Sequence, residues 1–240
     1  MVATLAQQIK DESDIIPPLA AGDRLTSDEF IRRYHAMPKI NKAELVEGVV
    51  YMPSPVRNKF HGEPHADVLT WLGFYRSMTL GTRHADNSTV FLDLDNNPQP
   101  DAMLRIERAA GGTSENSIDG YLYGPPELIV EIAASTESYD LHDKMNAYRR
   151  NGVQEYVVWR VRDGEIDWFH LVGGRYELLA ADENGVVHSC VFPGLRLSVA
   201  AMVSADLAAV LAELQAGTQS PEHAEFVKLL KERLAGDNPS

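Results

Sequence analysis

The sequence predicts a mixed α/β (α+β) chain with a helical C-terminal extension. Three observations carry this reading. Between residues 43 and 197, short β-branched apolar runs alternate with segments whose apolar residues recur at helical spacing. Two of the runs flank Asp163-Gly164, and Asp-Gly between such runs is a strong hairpin signal. From residue 199 onward only helical periodicity remains. The predicted organisation is an N-terminal arm over 1–22, a main domain over 23–200 and a helical extension over 201–240.

Each element has a local reason. Residues 1–22 are mixed and end in Pro17-Pro18, so they read as a loosely ordered arm. Thr26-Ser27-Asp28-Glu29 has the capping-box form, a hydroxyl followed three residues on by a carboxylate, and should open a helix through Tyr34 and His35. Residues 43–52 carry β-branched residues around Gly48 and predict a bent strand or hairpin, ended by Pro53 and Pro55. Residues 65–78 place Val68, Leu69, Leu72 and Tyr75 on one helical face. Short strands follow at TRHA, STVFLDL and DAMLRI, separated by turns at Asp86-Asn87 and Asn96-Asn97-Pro98.

Residues 109–126 are rich in Gly, Ser and Asn and read as a long loop. The run 127–134 reads as a buried strand, and 139–151 as a helix stopped at Asn151-Gly152. Strands at 154–161 and 165–171 form the Asp163-Gly164 hairpin, and more strands run to about Leu197. In the tail, 201–214 reads as one helix, and Ser220-Pro221 starts another, with serine at the N-cap and proline at the first helical position. Its stripe Phe226, Leu229, Leu230 and Leu234 can pack on the domain or on a second subunit.

Composition bounds the function. The 240 residues are 44% hydrophobic and 24% charged, which excludes a wholly disordered or collagen-like chain. Lys and Arg number 22 against 35 Asp and Glu, a net charge of −13, which argues against a sequence-independent nucleic-acid coat. Cys190 is the single cysteine, so no intrachain disulfide can form. No apolar run approaches the roughly 18 residues of a membrane span, and the N-terminus lacks the form of a secretory leader. The expected location is the cytoplasm, with no membrane partner.

Three residues stand out chemically. Glu131 lies inside Leu128-Ile129-Val130-Glu131-Ile132-Ala133-Ala134, where a carboxylate is costly unless it is paired, metal-bound or solvated at the strand end. Asp101 follows Gln99-Pro100 at a strand start; alone it also reads as a surface turn residue. Lys144 shares a helical face with Leu141, Met145 and Tyr148. It is either aimed at an acid or phosphate, snorkelling, or paired with Asp140 one turn before it. Two strand acids and one helix lysine suit a hard divalent cation and phosphodiester chemistry.

Several other features read as structural. Tyr139, Tyr148 and Tyr156 read as core, Cys190 as a small core residue and His142 as surface. His61-Gly62-Glu63-Pro64-His65 resembles a zinc pair only superficially, because Gly62 and Pro64 interrupt the helix that such a motif needs. His65 is expected to cap the helix or face the cleft.

The run PQPDAMLRI, the stretch GPPELIVEIAASTESYDLHDKMNAYRRNGVQEYVVW, the early ELVEG and the helix begun by His65 together resemble the Uma-type family of restriction-endonuclease-like proteins. That family, once a domain of unknown function, belongs to the PD-(D/E)XK nuclease superfamily, and the resemblance covers roughly residues 25–200. It implies a restriction-endonuclease-like core, a mixed central sheet flanked by helices with the site at one edge. It matches Asp101 to the aspartate of the PD pair, Glu131 to the second acid and Lys144 to a lysine moved onto the following helix. It matches Glu44 to the early acid, with Glu47 the neighbouring candidate. Ala133 stands where the simple pattern has lysine.

The resemblance implies a metal-dependent endonuclease acting on nucleic acid, with DNA the expected substrate. Mg²⁺ (or Mn²⁺) would be held by Asp101, Glu131, the Ile132 carbonyl and Glu44, with Lys144 positioning the attacking water. The alternatives are a catalytically silent binding or regulatory module on the same fold, and a metal-independent hydrolase using the carboxylate pair. The C-terminal stripe fits a homodimer. The acid is unevenly spread: residues 140–175 hold six basic and six acidic residues, whereas 1–139 hold 12 basic and 20 acidic.

Overall fold

A six-stranded mixed sheet positions everything else. Its strands are β3 (Thr82–Asp86), β5 (Ala102–Ile106), β8 (Leu128–Ala133), β9 (Glu155–Arg160), β10 (Glu165–Val172) and β11 (Arg175–Leu178). Their order is β11-β10-β9-β8-β5-β3, with β8 and β9 parallel and every other pair antiparallel. The structure, a computed structural model, describes residues 16–40, 42–52, 58–134 and 139–236. Residues 1–15 of the expected arm and the strand stop at Pro53 and Pro55 lie outside the described residues.

Two small sheets and a hairpin flank the main sheet. β1 (Glu44–Val46) and β2 (Val49–Tyr51) form a hairpin on Glu47-Gly48, which decides between the bent strand and the hairpin that residues 43–52 allow. Both turn residues have positive φ (53° and 70°), the two-residue geometry that matches strand twist. β4 (Val90–Phe91) joins β6 (Glu115–Asn116) and β7 (Leu122–Tyr123) in a three-stranded sheet. The span 109–126 is therefore not a plain loop. β12 (Val186–His188) pairs with β13 (Arg196–Ser198).

The helices are α1 (Ser27–His35), α2 (Gly62–Met78), α3 (Met145–Asn151), α4 (Val199–Val203), α5 (Leu207–Thr218) and α6 (Pro221–Gly236). Several depart in detail from the sequence expectation. α1 starts where expected, but the Thr26 side chain makes no capping bond. Glu29 turns instead to Arg32 and Arg33 at 2.7 and 2.6 Å, and the Ser27 N–H goes to the Leu94 carbonyl. α2 begins three residues before His65. Pro64 lies in its first turn, where the missing N–H has no helical acceptor to lose, so neither it nor Gly62 breaks the helix. A π-helical turn over Asp140–Lys144 leads into α3, which Gly152 ends in the left-handed conformation as expected. The tail breaks at Ser204–Asp206, where Asp206 accepts the Ala209 N–H and opens a separate helix. Ser220 accepts the His223 N–H at the start of α6, as its Ser-Pro start predicts.

Strand parity divides the core between the two faces of the sheet. Leu104, Leu128, Val130, Ile132, Val157 and Trp159 pack on one side, with Trp71, Leu72 and Tyr75 of α2 and with the C-terminal helices. Trp71 meets Trp168 edge-on at 5.6 Å, an arrangement worth about 1 kcal/mol beyond its buried area. Leu230 of α6 is fully buried in this core and Phe226 and Leu234 pack against it. The stripe is thus largely used by the chain's own core, and only Leu229, 41% exposed, stands out. On the other face lie Met103, Ile129, Tyr148, Tyr156 and Val158. Cys190 is exposed rather than in the core, because its segment turns over the buried Glu155 carboxylate, which accepts the Cys190 N–H at 2.6 Å.

Candidate active site

The same parity brings the predicted acids together. Ile129 and Glu131 share one face of β8, the α3 side, as do Asp101 and Met103 at the start of β5. β5 and β8 pair Ala102 with Val130, so extending that register by one residue sets Asp101 opposite Glu131. The ladder ends there and the Ile132 N–H donates to Asp101 Oδ2 at 2.8 Å. In an extended strand the N–H and C=O of one residue point to the same edge, so the Ile132 carbonyl faces this corner too. From the third direction comes Glu44 of β1, whose Oε1 accepts the Gln99 N–H at 2.7 Å. Glu44, Asp101 and Glu131 are 3, 4 and 2% exposed.

Lys144 joins them. Its Nζ lies 2.9 Å from Glu131 Oε1, 3.0 Å from Glu44 Oε1 and 3.8 Å from Asp140 Oδ1, and 5.3 Å from the Tyr139 ring centroid. Tyr148, one turn on, donates to the same Glu131 Oε1 at 2.8 Å. Glu47 is elsewhere: it sits on the hairpin turn and pairs with Arg150 at 2.7 Å. Of the two candidates for the early acid, Glu44 is the one at the cluster.

Asp101 has its own partners. Lys42 Nζ is 3.2 Å from Oδ1, and His61 Nε2 is 3.2 Å from Oδ2. His65 Nε2 lies 2.6 Å from the Asp101 carbonyl oxygen. A carbonyl and an ionised carboxylate can only accept, so both rings donate an N–H from Nε2. His61 and His65 are one helical turn apart, which is why both reach one residue.

Electrostatics separate the two strand acids. Burial raises the Asp101 carboxyl, but the His61 hydrogen bond and the charges of Lys42, His61 and Lys144 outweigh it and hold the group well below the usual carboxylate range. Glu131 goes the other way: burial raises it, Lys144 opposes, and the carboxylates of Asp101, Asp140 and Glu44 add to the rise. For Lys144, burial works against the charge, but Glu131, Glu44 and Asp140 outweigh it and raise the ammonium well above its ordinary range.

Four predicted side chains, Glu44, Asp101, Glu131 and Lys144, therefore converge. Sequence reasoning missed Lys42, His61 and Tyr148 as members and left His65 as one of two options. The signals were present. Lys42 precedes Glu44 by two, the spacing of one strand face; His61 precedes His65 by four; Tyr148 follows Lys144 by four.

The donor set fits a hard divalent cation. It consists of carboxylate oxygens and a strand-edge carbonyl, with four buried acids (Glu44, Asp101, Glu131, Asp140) against two ammonium groups. Among the described residues no three Asp, Glu, His or Cys side chains are grouped so that they could by themselves hold a metal ion. Lys144 bridges Glu44 and Glu131.

Comparison with known proteins agrees with this architecture. Among curated proteins nothing matches. A solved structure titled "Crystal structure of a putative nuclease belonging to DUF820 from Anabaena variabilis ATCC 29413" is similar with a TM-score of 0.57 at 15% identity. The match covers 75% of this chain and 98% of the other, and at that identity it speaks for the fold. The family described as "Uma2: Putative restriction endonuclease" matches residues 28–200, a span that includes every converging residue named above. The chain belongs to the Uma2 family.

Proposed function

We propose that this chain is a metal-dependent endonuclease that hydrolyses phosphodiester bonds in DNA. The observation that supports it most is the convergence of Glu44, Asp101 and Glu131 at one corner of the sheet, in a chain of this family. Asp101, Glu131, Glu44 and the Ile132 carbonyl would hold Mg²⁺ or Mn²⁺. When bound, such an ion supplies a water of lowered pKa and stabilises charge on the phosphoryl oxygens. The chain's own residues prepare the site. Lys42, His61 and the Ile132 N–H hold the Asp101 carboxylate in its ionised form, and His65 holds the Asp101 backbone carbonyl. Tyr148 and Lys144 fix Glu131, and the Gln99 N–H fixes Glu44. Lys144 keeps the acids together and sets the approach of the attacking water.

The test is cleavage of duplex and single-stranded DNA, and of RNA, in Mg²⁺ and Mn²⁺. Asp101→Asn and Glu131→Gln, which keep shape, should lose at least about 100-fold in rate with the fold intact. A wild-type chain that cuts none of these substrates would overturn the reading.

One observation favours a second reading, a silent module that binds nucleic acid without cutting it: Lys144 already bridges two of the acids. It predicts Mg²⁺ binding without turnover, or neither. A homodimer through the C-terminal helices would have to use the face around Leu229. Light scattering of wild type and Leu229→Glu tests it, and a monomer in both removes it. The exposed Cys190 supports a reducing, cytoplasmic location.

A further inference from the structure

The site holds two lysines, and they are not equivalent. Lys144 has Glu131 and Glu44 within hydrogen-bond distance, at 2.9 and 3.0 Å, and Asp140 at 3.8 Å, with its side chain only 4% exposed. Its burial behind the acids keeps it from a substrate phosphate. Lys42 is held differently. Its Nζ lies 3.2 Å from both Asp101 Oδ1 and Asn87 Oδ1, and the side chain is 25% exposed. Two donors are engaged and the third has no partner among the described residues.

The clamp on Lys42 is itself rigid. Asn87 sits in the left-handed region at φ 43°, and its N–H donates to the Pro100 carbonyl, next to Asp101. The ammonium is therefore held beside the acid at the corner, on a side chain that is a quarter exposed.

We infer that Lys42 is the cation that meets a backbone phosphate oxygen of the bound strand, and that Lys144 is a positioning residue for Glu131 and Glu44. This rests on the endonuclease reading for its substrate class and adds to it the residue that touches the substrate. It also accounts for Ala133: the substrate-facing charge that the simple strand pattern would place there comes from the segment before β1.

The test separates the two claims. Binding of a short fluorescent DNA duplex is measured in Ca²⁺ across a salt series, and cleavage is measured in Mg²⁺ and Mn²⁺. Lys42→Met and Lys42→Gln should bind about tenfold more weakly, and the dependence of log affinity on log salt should flatten by about one, the signature of one lost phosphate contact. Lys42→Arg should keep the slope. A purely structural role for Lys42 would not move it. If wild type binds without cutting and the slope still flattens, the endonuclease reading fails and the Lys42 contact stands. If wild type cuts and both neutral variants keep its affinity and slope, the Lys42 contact is overturned. It is overturned too if wild type binds no duplex. Lys42→Gln retains polar contact with Asn87 and Asp101, so a folding loss in Lys42→Met leaves the test in place.

Discussion

Replacing Lys144 with methionine removes the positive charge shared by Glu131, Glu44 and Asp140 while keeping an unbranched side chain of comparable volume. All four residues are at most 3% exposed, so water cannot take over the solvation. Removing one partner of a buried ion pair costs about 3–5 kcal/mol, because the other charge is left uncompensated. In a chain of this length each kcal/mol moves Tm by about 2–4 °C, so the expected fall is about 10 °C. The loss should depend on pH. Burial already raises the Glu131 carboxyl and Lys144 opposes that rise, so without Lys144 its pKa lies further above the unfolded value of about 4. The folded state then keeps protons that the unfolded state releases, and stability declines as pH rises. Calorimetric melts at about pH 5 and about pH 8 should show the larger deficit at the higher pH. Adding Glu131→Gln to Lys144→Met should restore part of the loss, since one buried charge goes with it. A Lys144→Met protein melting within about 2 °C of wild type at the higher pH would refute the claim that this ammonium holds the acids together.

Three further outcomes are expected. Burial pushes the Glu155 carboxyl up to about 7, only partly offset by the Ser189 hydroxyl and the Cys190 and Val191 N–H groups. An acid raised in the folded state destabilises it as pH climbs from about 4.5 to about 7. Glu155→Gln should therefore flatten the stability curve over that window and leave it unchanged below, read by denaturant melts; an unchanged slope would count against it. Glu47→Asn should stabilise by about 0.5 kcal/mol, because asparagine tolerates the left-handed turn better. It should also leave cleavage intact, whereas Glu44→Gln should lose it; the reverse ordering would make Glu47 the early acid. Leu230→Ala should cost about 2–5 kcal/mol and Leu229→Ala under about 1, a contrast that urea titrations would reveal if α6 belongs to the main core.

Much of the fold was legible because it is written in local chemistry. The Asp163-Gly164 hairpin, the Glu47-Gly48 turn, the Gly152 helix stop and the Ser220-Pro221 helix start each depend on a few adjacent residues. The misses share a cause. The Thr26 side chain makes no capping bond and the first helical N–H, that of Ser27, goes to the distant Leu94 carbonyl, while Pro64 fell inside a helix because its position in the first turn made it harmless. Leu122–Tyr123 became strand because β4 offered an edge, and Glu115–Asn116 then paired with Leu122–Tyr123. Cys190 left the core because Glu155, far away in sequence, captured its backbone. All four outcomes were decided by a neighbour or an end effect that no window of sequence contains.

The site divides the same way. The sequence by itself determined which residues were out of place: a glutamate in an apolar strand, an aspartate after proline and a lysine on an apolar helical face. It also determined, through strand parity, that Glu131 shares a face with Ile129 and Ala133. Only the tertiary structure decided that Asp101 lies opposite Glu131, that Glu44 rather than Glu47 completes the group, and that Lys42 and two histidines close around Asp101. Register between β5 and β8 and the packing of α2 and α3 on that corner are long-range choices. They follow from the burial of whole faces, which depends on the entire chain, whereas the cost of a misplaced charge can be read one residue at a time.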